Sequence, residues 1–166
     1  MLTGFRAALE TPYVTHVAIV DADGQHDPSE IPNLYQAVAD QNADLVIGSR
    51  SFGLEHVPWR NRLGNRLTAL LTRLLLKQPV PDTQSGYRLH SRRLLEDIAA
   101  NIPGGRYETE MEILVLAVRK GYRVVPVPIQ TIYEEGNPAS HFNKLKDSYK
   151  IYRSLFRAAR RFRPNG

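Results

Sequence analysis

The sequence contains no cysteine. This absence excludes a disulfide framework and any metal site built on thiolates. It also fits a reducing compartment, so a cytoplasmic location is the default expectation for the chain.

The sequence also lacks a long hydrophobic run. A helix that spans a bilayer needs roughly 20 consecutive apolar residues, and the Leu-rich stretch at residues 63–76 is interrupted by Arg66 and Arg73. The first ten residues, MLTGFRAALE, have no apolar centre of the kind found in signal peptides. We therefore expect a chain that is soluble or peripheral to a membrane.

Charge is unevenly distributed along a chain of otherwise ordinary composition. With 166 residues, of which 42% are hydrophobic and 23% charged, the sequence suits one globular domain with a substantial core. The formal net charge is +5, but residues 140–166 contain eight Lys and Arg against one acid, a net charge of +7. A nucleic-acid-binding module is one reading of this basic tail. Because the aromatic residues of the tail share its apolar stripe and do not form a stacking face, we predict no nucleic-acid partner.

The clearest local signal is a strand followed by a helix start. Residues 14–20 form a short β-branched run typical of a buried strand. Asp27 then stands at an N-cap position with Pro28 after it, which predicts a helix to about residue 40. Residues 44–50, DLVIGSR, predict a second strand. Strand, helix and strand in so short a segment indicate a right-handed parallel crossover.

This arrangement predicts where a ligand would bind. Parallel strands of an open sheet carry ligands beyond their carboxyl ends. Asp21 and Asp23 follow the first strand, and Ser49 and Arg50 end the second. We therefore expect these four residues to be neighbours.

The remaining segments carry helix, loop and edge-strand patterns. Residues 78–90 are punctuated by Pro and Gly and predict a loop or irregular strand, whereas Pro126 and Pro128 make residues 122–130 an edge strand. Helices are predicted at residues 59–77, 91–100, 107–121 and 143–162, and the first and last of these are amphipathic. The apolar stripe of the last one comprises Leu145, Tyr149, Tyr152, Leu155, Phe156, Ala159 and Phe162.

The acidic segment DADGQHDP allows several interpretations. An EF-hand calcium loop that began at Asp21 would need Gly at its sixth position and Glu at its twelfth, and these positions hold His26 and Pro32. Two interpretations remain. One is a solvated turn, and the other is a Mg²⁺ or Mn²⁺ site in which Asp21, Asp23 and Gln25 supply oxygen ligands.

Six segments in consistent order resemble glycosyltransferase family 2, in the branch that contains polyprenyl-phosphate sugar synthases. They are DADGQHDP, GSR, DTQSGYR, YETEME, GNPASHF and KDSYKIYR. The resemblance implies an α/β fold of the GT-A type, with a Rossmann-like mixed sheet flanked by helices. It also implies that Asp21, Asp23 and Gln25 hold the metal ion on the diphosphate of a nucleotide sugar.

The resemblance assigns further roles by position. Asp82, Glu108 and Glu110 are the candidate catalytic residues, although the two glutamates could simply complement a helix dipole. An anionic phosphate acceptor needs little help from a base, whereas a hydroxyl acceptor would need one. Arg60 and Arg62 could equally lie on a solvated helix face. The candidate substrate-binding residues are Arg50, Arg60, Arg62, Gln84, Ser85, Gly86, Ser140 and His141.

The implied reaction is inverting transfer of a sugar from a nucleotide sugar, GDP-mannose or a UDP-hexose, to a polyprenyl or dolichyl phosphate. A saccharide or protein hydroxyl as acceptor, or a catalytically inactive fragment, are the alternatives. The first strand–helix units of the family have no counterpart in this sequence. Residues 1–140 are therefore expected to form a partial catalytic domain, whose exposed sheet edge favours self-association.

Residues 141–166 are expected to form a basic amphipathic helix. This helix would pack on the catalytic domain or on the cytoplasmic face of a membrane, where its cations suit anionic lipid headgroups.

Overall fold

A computed structural model describes residues 1–22, 24–50, 70, 72–74, 80–105, 108–130 and 144–162, and for residues 108 and 144–152 it describes the backbone only. Residues 70 and 72–74 are helical, and a 3₁₀ turn occupies Pro28–Glu30. In chain order, the helices and strands are α1 (Leu2–Glu10), β1 (His16–Ile19), α2 (Ile31–Gln41), β2 (Leu45–Arg50), β3 (Arg88–Ser91), α3 (Arg92–Asn101), α4 (Glu108–Arg119), β4 (Val124–Ile129) and α5 (Lys144–Arg161).

The strands form one mixed sheet in the order β1-β3-β2-β4. Strand β3 is antiparallel to both β1 and β2, and β2 is parallel to β4. The predicted parallel relation of β1 and β2 is therefore present, but the two strands do not pair because β3 lies between them. At the start of β3, Arg88 is opposite Ile19 of β1 and Ile47 of β2. The chain that leads into β3 thus enters the sheet between the carboxyl ends of β1 and β2.

Both faces of the sheet are covered by helices. In β2, Leu45 and Ile47 face one side and Val46 the other, as strand alternation requires. Helices α1, α3, α4 and α5 cover the first side, and α2 covers the second. The buried residues of the first side include Phe5, Leu45, Ile47, Leu94, Leu95, Ile98, Met111, Leu114 and Leu155, and those of the second are Leu34, Ala37, Ala43, Val46, Tyr87, Leu89, Val125 and Ile129.

Local signals place most elements where the sequence predicted them. The Asp27 carboxylate accepts the Ser29 N–H at 2.8 Å, which confirms the predicted cap, although a 3₁₀ turn comes before α2. Strand β4 pairs only with β2 in the part of the chain that the structure describes, and it is an edge strand as predicted. Pro126 and Pro128 are tolerated there because alternate residues of a strand turn their nitrogens to the same edge.

The structure differs from the sequence predictions at three places. The segment that was expected to be a loop or irregular strand ends in a regular strand, β3, in which Arg88 and His90 are buried. In the predicted helix at residues 59–77, Leu70 and Leu74 belong to the apolar stripe but are 52% and 67% exposed. Phe156 of the last helix, also assigned to an apolar stripe, is 46% exposed.

Among the described residues, no helix is long and apolar enough to cross a membrane.

The buried His90 predicts a dependence of stability on pH. Its ring lies 5.1 Å from that of Phe5, and burial, together with the Arg88 charge, lowers the pKa of His90 to about 3. An unfolded histidine titrates near pH 6.5, so the stability contributed by neutral His90 is fully present above that pH and is lost as the pH falls toward 3. We expect the free energy of unfolding to drop by about 2 kcal/mol from pH 7 to pH 5 because of this residue alone.

The measurement is urea denaturation at both pH values for the natural chain, His90→Leu and His16→Gln. His16 is a matched control, since it lies on the neighbouring strand β1 and is only partly buried. The His90 variant should lose most of the pH dependence, and the His16 variant should keep most of it, because burial lowers the pKa of the partly buried His16 as well. An unchanged pH dependence in His90→Leu would show that other groups cause it.

Candidate active site

Three chain segments meet at the carboxyl ends of β1 and β2. Asp21 follows β1, Arg50 ends β2, and residues 82–87 lead into β3 between them. Asp21 contacts Gly86, and Arg50 pairs with Asp82. The charge of Arg50 is also close enough to Asp21 to lower its pKa. The predicted proximity of Asp21 and Arg50 is therefore present in the structure.

Gly86 provides the space that Asp21 occupies. A Cβ atom added at Gly86 would overlap the Asp21 carboxylate, with the Asp21 Cγ and Oδ1 atoms each only 2.5 Å away. Real Cβ contacts are not this short, so any other residue at this position would displace the carboxylate. Glycine thus leaves the room in which the Asp21 carboxylate lies, and close approach of this kind is one of the common uses of glycine in proteins.

Asp21 is held in its ionised form. Its side chain is 52% exposed, and the His26 Nε2 atom lies 3.8 Å from Oδ2. The interaction with His26 lowers the pKa of Asp21, with smaller contributions from the charges of Arg50 and Arg88, and together these outweigh the opposing effect of burial. The carboxylate is thus both charged and accessible at the edge of the sheet.

Arg50 and Asp82 form a two-point ion pair. The Arg50 Nε atom donates to Asp82 Oδ2 at 2.6 Å, and an outer guanidinium nitrogen of Arg50 donates to Oδ1 at 3.1 Å. The Asp82 side chain is 1% exposed and that of Arg50 22%. A geometry of this kind fixes the plane of the guanidinium. The pair holds the Arg50 guanidinium at the carboxyl end of β2. The predicted roles, phosphate binding by Arg50 and catalysis by Asp82, stay predictions.

Gln84 and Ser85 take part in the turn that leads to Gly86. The Gln84 N–H donates to Asp82 Oδ1 at 3.3 Å, and the Ser85 hydroxyl accepts the Tyr87 N–H at 3.2 Å. Ser85 is almost fully buried. In this structure both residues shape the loop, and their predicted contact with substrate is untested.

Arg88 is a structural residue of the site that the sequence interpretation missed. It is 1% exposed and donates three hydrogen bonds of 2.8 Å to the main-chain carbonyls of Thr83, Ser85 and Glu110. Burial lowers the pKa of Arg88, and the nearby acidic residues oppose that shift. Its guanidinium therefore ties the loop at residues 82–87 to the start of α4.

His26 and Tyr87 were also missed. His26 is buried, and its ring lies 5.1 Å from that of Tyr87. The Tyr87 hydroxyl donates to the Asp27 carbonyl at 2.9 Å, which fastens the segment after Asp21 to the loop before β3. His26 lies in the segment DADGQHDP and Tyr87 in the segment DTQSGYR, and both segments belong to the family resemblance. Membership of these segments was the one sequence signal that could have identified the two residues.

The first turn of α4 borders a cavity of about 700 Å³. Glu110 lines this cavity, and its main-chain carbonyl accepts from Arg88. The side chain of Glu108 lies outside the described residues. The cavity is lined by Met1, Leu2, Thr3, Arg6, Pro103, Gly104, Gly105, Thr109 and Glu110.

Several predicted residues cannot be placed. Within the described ranges, no group of three acidic or histidine side chains is arranged to hold a metal ion. Of the predicted ligand set, Asp21 and Gln25 are described and Asp23 is not, so the metal site stays a prediction. The predicted residues outside the described ranges are Asp23, Arg60, Arg62, Ser140 and His141.

The mixed sheet and the helices on both of its faces define the class of fold. The chain is similar to the solved structure of glucosyl-3-phosphoglycerate synthase from Mycobacterium tuberculosis in complex with phosphoglyceric acid, with a TM-score of 0.63 and 17% sequence identity. The match covers 93% of this chain and 53% of the solved one. The fold is therefore the GT-A type that was predicted.

Sequence comparison gives the family. The family described as glycosyl transferase family 2 matches residues 1–99, and the chain belongs to this family. It is 32% identical to UDP-N-acetylglucosamine–dolichyl-phosphate N-acetylglucosaminyltransferase of Methanococcus voltae, over 93% of this chain and 62% of the relative. It is 35% identical to polyprenol monophosphomannose synthase of Mycolicibacterium smegmatis, over 77% and 49% of the two chains. It is 34% identical to undecaprenyl-phosphate mannosyltransferase of Micrococcus luteus, over 81% and 56%.

The chain thus spans about half to three fifths of the length of these curated relatives.

Proposed function

We propose that the chain forms part of a catalytic domain that transfers a sugar from a nucleotide sugar to a polyprenyl phosphate, with inversion at the sugar carbon. The observation that carries the proposal is the ionised, half-exposed Asp21 carboxylate against Gly86, beside the Arg50–Asp82 pair. The names of the relatives from Methanococcus voltae, Mycolicibacterium smegmatis and Micrococcus luteus support a polyprenyl or dolichyl phosphate as acceptor.

The chemistry of Asp21 fits a divalent metal ion. Mg²⁺ and Mn²⁺ prefer hard oxygen ligands and usually keep waters and substrate phosphates in their shells, so a single accessible carboxylate is a suitable anchor. Asp21 would hold the ion together with Asp23 and Gln25. When bound, the ion would neutralise the charge that develops on the leaving nucleoside diphosphate.

The Arg50–Asp82 pair would orient phosphate groups. Asp82 fixes the Arg50 guanidinium at the edge of the sheet, where a phosphate of the donor or acceptor would lie. Guanidinium groups bind phosphate oxygens through two parallel hydrogen bonds, and a fixed guanidinium loses less entropy when it does so. A phosphate acceptor is already an anionic nucleophile, so the transfer would not depend on a strong general base. The reaction would take place at the cytoplasmic face of a membrane.

The first test is isothermal titration of the purified chain with UDP and with GDP, each with and without Mn²⁺. We expect one of the two nucleotides to bind at least about tenfold more tightly with Mn²⁺, which is roughly 1.4 kcal/mol. The nucleotide that binds would also give the donor class, GDP-mannose or a UDP-hexose. If neither nucleotide binds in the presence of Mn²⁺, the proposal fails for this chain.

The second test separates the acceptors. The chain is incubated with the matching nucleotide sugar and either a short-chain polyprenyl phosphate or a free saccharide, and the products are identified by mass spectrometry. A glycosyl phospholipid product is expected. A product formed only with the saccharide would overturn the lipid-phosphate acceptor and leave the metal-dependent donor site intact.

A further inference from the structure

His26 is buried, yet one of its two ring nitrogens has no partner. The side chain is 3% exposed, and its ring lies 5.1 Å from that of Tyr87. Among the residues that the structure describes, none forms a hydrogen bond with His26 Nδ1. A buried ring nitrogen without a partner lowers stability, and a phenylalanine ring in the same place would avoid that cost. Packing on Tyr87 therefore does not account for the imidazole.

The other ring nitrogen faces Asp21. His26 Nε2 lies 3.8 Å from Asp21 Oδ2, and the His26 side chain is buried whereas that of Asp21 is 52% exposed. The imidazole therefore approaches the carboxylate from the interior and leaves the accessible side of Asp21 open. Among the groups that lower the pKa of Asp21, His26 has the largest effect.

Tyr87 holds His26 in this place. Its ring packs on the imidazole, and its hydroxyl donates at 2.9 Å to the carbonyl of Asp27, the residue after His26. Tyr87 is itself fully buried. It also directly follows Gly86, which contacts the Asp21 carboxylate. Two successive residues thus act on Asp21, one by direct contact and the other through His26.

We propose that His26 is a positioning residue, which holds the Asp21 carboxylate in the orientation that binds a divalent cation. It acts through Asp21 and is not itself a ligand of the ion, because its side chain is buried. Groups that contact a ligating carboxylate orient it, and their loss commonly weakens metal binding about ten- to a hundredfold. This inference deepens the function proposed above and rests on the metal-binding role of Asp21.

The experiment compares two substitutions that separate the ring of His26 from its nitrogen. His26→Phe keeps a ring against Tyr87 and removes the nitrogen that faces Asp21. His26→Gln removes the ring and keeps a side-chain N–H donor. The measurement is isothermal titration of the full chain with UDP or GDP, whichever the natural chain binds, with and without Mn²⁺.

We expect His26→Phe to weaken the Mn²⁺-dependent binding at least about tenfold, and His26→Gln to stay within about threefold of the natural chain. Urea denaturation should give the opposite order. His26→Phe should be at least as stable as the natural chain, because the unpartnered nitrogen is gone, and His26→Gln should be less stable, because the contact between the rings is lost. A residue that serves packing alone would give the same order in both measurements.

His16→Phe is the matched control. The His16 ring also packs on a tyrosine, Tyr35, with the ring centres 5.7 Å apart. However, His16 is the first residue of β1, whereas Asp21 lies beyond the other end of that strand. We expect this variant to bind the nucleotide and Mn²⁺ as the natural chain does.

The proposal is wrong if His26→Phe binds as tightly as the natural chain, if it is both weaker in binding and less stable, or if a folded His26→Gln loses as much affinity as His26→Phe. Should His26→Gln not fold, as judged by circular dichroism, the result for His26→Phe decides alone. A natural chain that binds neither nucleotide with Mn²⁺ would refute the proposed function and this inference together. The natural chain therefore distinguishes the two failures.

Discussion

Replacing Gly86 with alanine is expected to weaken Mn²⁺-dependent binding of the nucleoside diphosphate by at least about tenfold, close to the loss expected from Asp21→Asn. The added Cβ would occupy the position of the Asp21 carboxylate. The Asp21 side chain would have to turn away to make room for it, and the carboxylate would lose its place beside His26 and Arg50. The measurement is isothermal titration with the nucleotide that the natural chain binds.

Gly4→Ala is the matched control for this substitution. A Cβ at Gly4 meets no atom within 4 Å, and the residue lies in α1, where alanine is the better helix former. We expect it to bind as the natural chain does and to unfold at the same or a slightly higher temperature. Gly86→Ala with full Mn²⁺-dependent affinity would show that the position of Asp21 does not determine metal binding.

Replacing Asp44 with alanine is expected to lower the free energy of unfolding by about 3 kcal/mol, since it removes a buried carboxylate from several charged hydrogen bonds. The Asp44 side chain, 3% exposed, accepts bonds from the Arg93 guanidinium, from the Ser91 hydroxyl at 2.9 Å and from the Arg123 N–H at 3.0 Å. Burial alone would raise the pKa of Asp44, but these donors outweigh it and the pKa is lowered. The carboxylate joins the start of β2 to the end of β3 and to the residue before β4, far from Asp21.

Urea denaturation at pH 7 measures this loss, and Glu96→Ala serves as the control. Glu96 pairs with Arg92 one helical turn away on the surface of α3, and such exposed pairs contribute only about 0.5 kcal/mol. We expect the two variants to differ by at least about 2 kcal/mol. If both substitutions lowered the free energy of unfolding by the same small amount, the prediction would be wrong. Such a result would mean that Ser91 and Arg123 form other hydrogen bonds when the Asp44 carboxylate is removed.

The parts of the fold that the sequence predicted correctly carry local signals. Asp27 and Pro28 mark a helix start through the hydrogen bond that Asp27 makes two residues away. The run Leu45, Val46 and Ile47 is apolar on both sides, as a strand between two helix layers requires. These signals depend on neighbours in the sequence, so they can be read without the tertiary structure.

Strand β3 could not be predicted because its signal is not local. Arg88 is charged and His90 is polar, so the hydrophobic pattern of the sequence predicts that both side chains are exposed. They are buried because carbonyls of Thr83, Ser85 and Glu110 satisfy Arg88, and because Phe5 packs on His90. The partners lie up to 85 residues away from His90 in the sequence.

The orientation of α5 was only half predictable for a similar reason. Leu155 and Phe156 are adjacent, so they point about 100° apart on a helix and cannot both face the same neighbour. Hydrophobicity alone does not choose between them. Helix α4 makes the choice by packing on Leu155, which leaves Phe156 exposed.

The candidate site shows the same division. Asp21 and Arg50 were predicted to be close because each lies at the carboxyl end of a predicted strand. In the structure the charge of Arg50 is close enough to lower the pKa of Asp21, so this prediction is confirmed. The contact of Asp21 with Gly86 and the pairing of Arg50 with Asp82 depend on the insertion of β3 between β1 and β2, which the crossover pattern does not contain.

The position of β3 also has a consequence for folding kinetics. Asp21 and Gly86 are 65 residues apart, and they come together only when β3 closes the gap between β1 and β2. Contacts of such separation form slowly, because the entropy of closing the loop is lost before any of them is made. During synthesis, the helix–strand units that precede residue 88 emerge without their central strand. The site therefore depends on the same long-range closure as the sheet, and a chain that stops before β3 cannot form it.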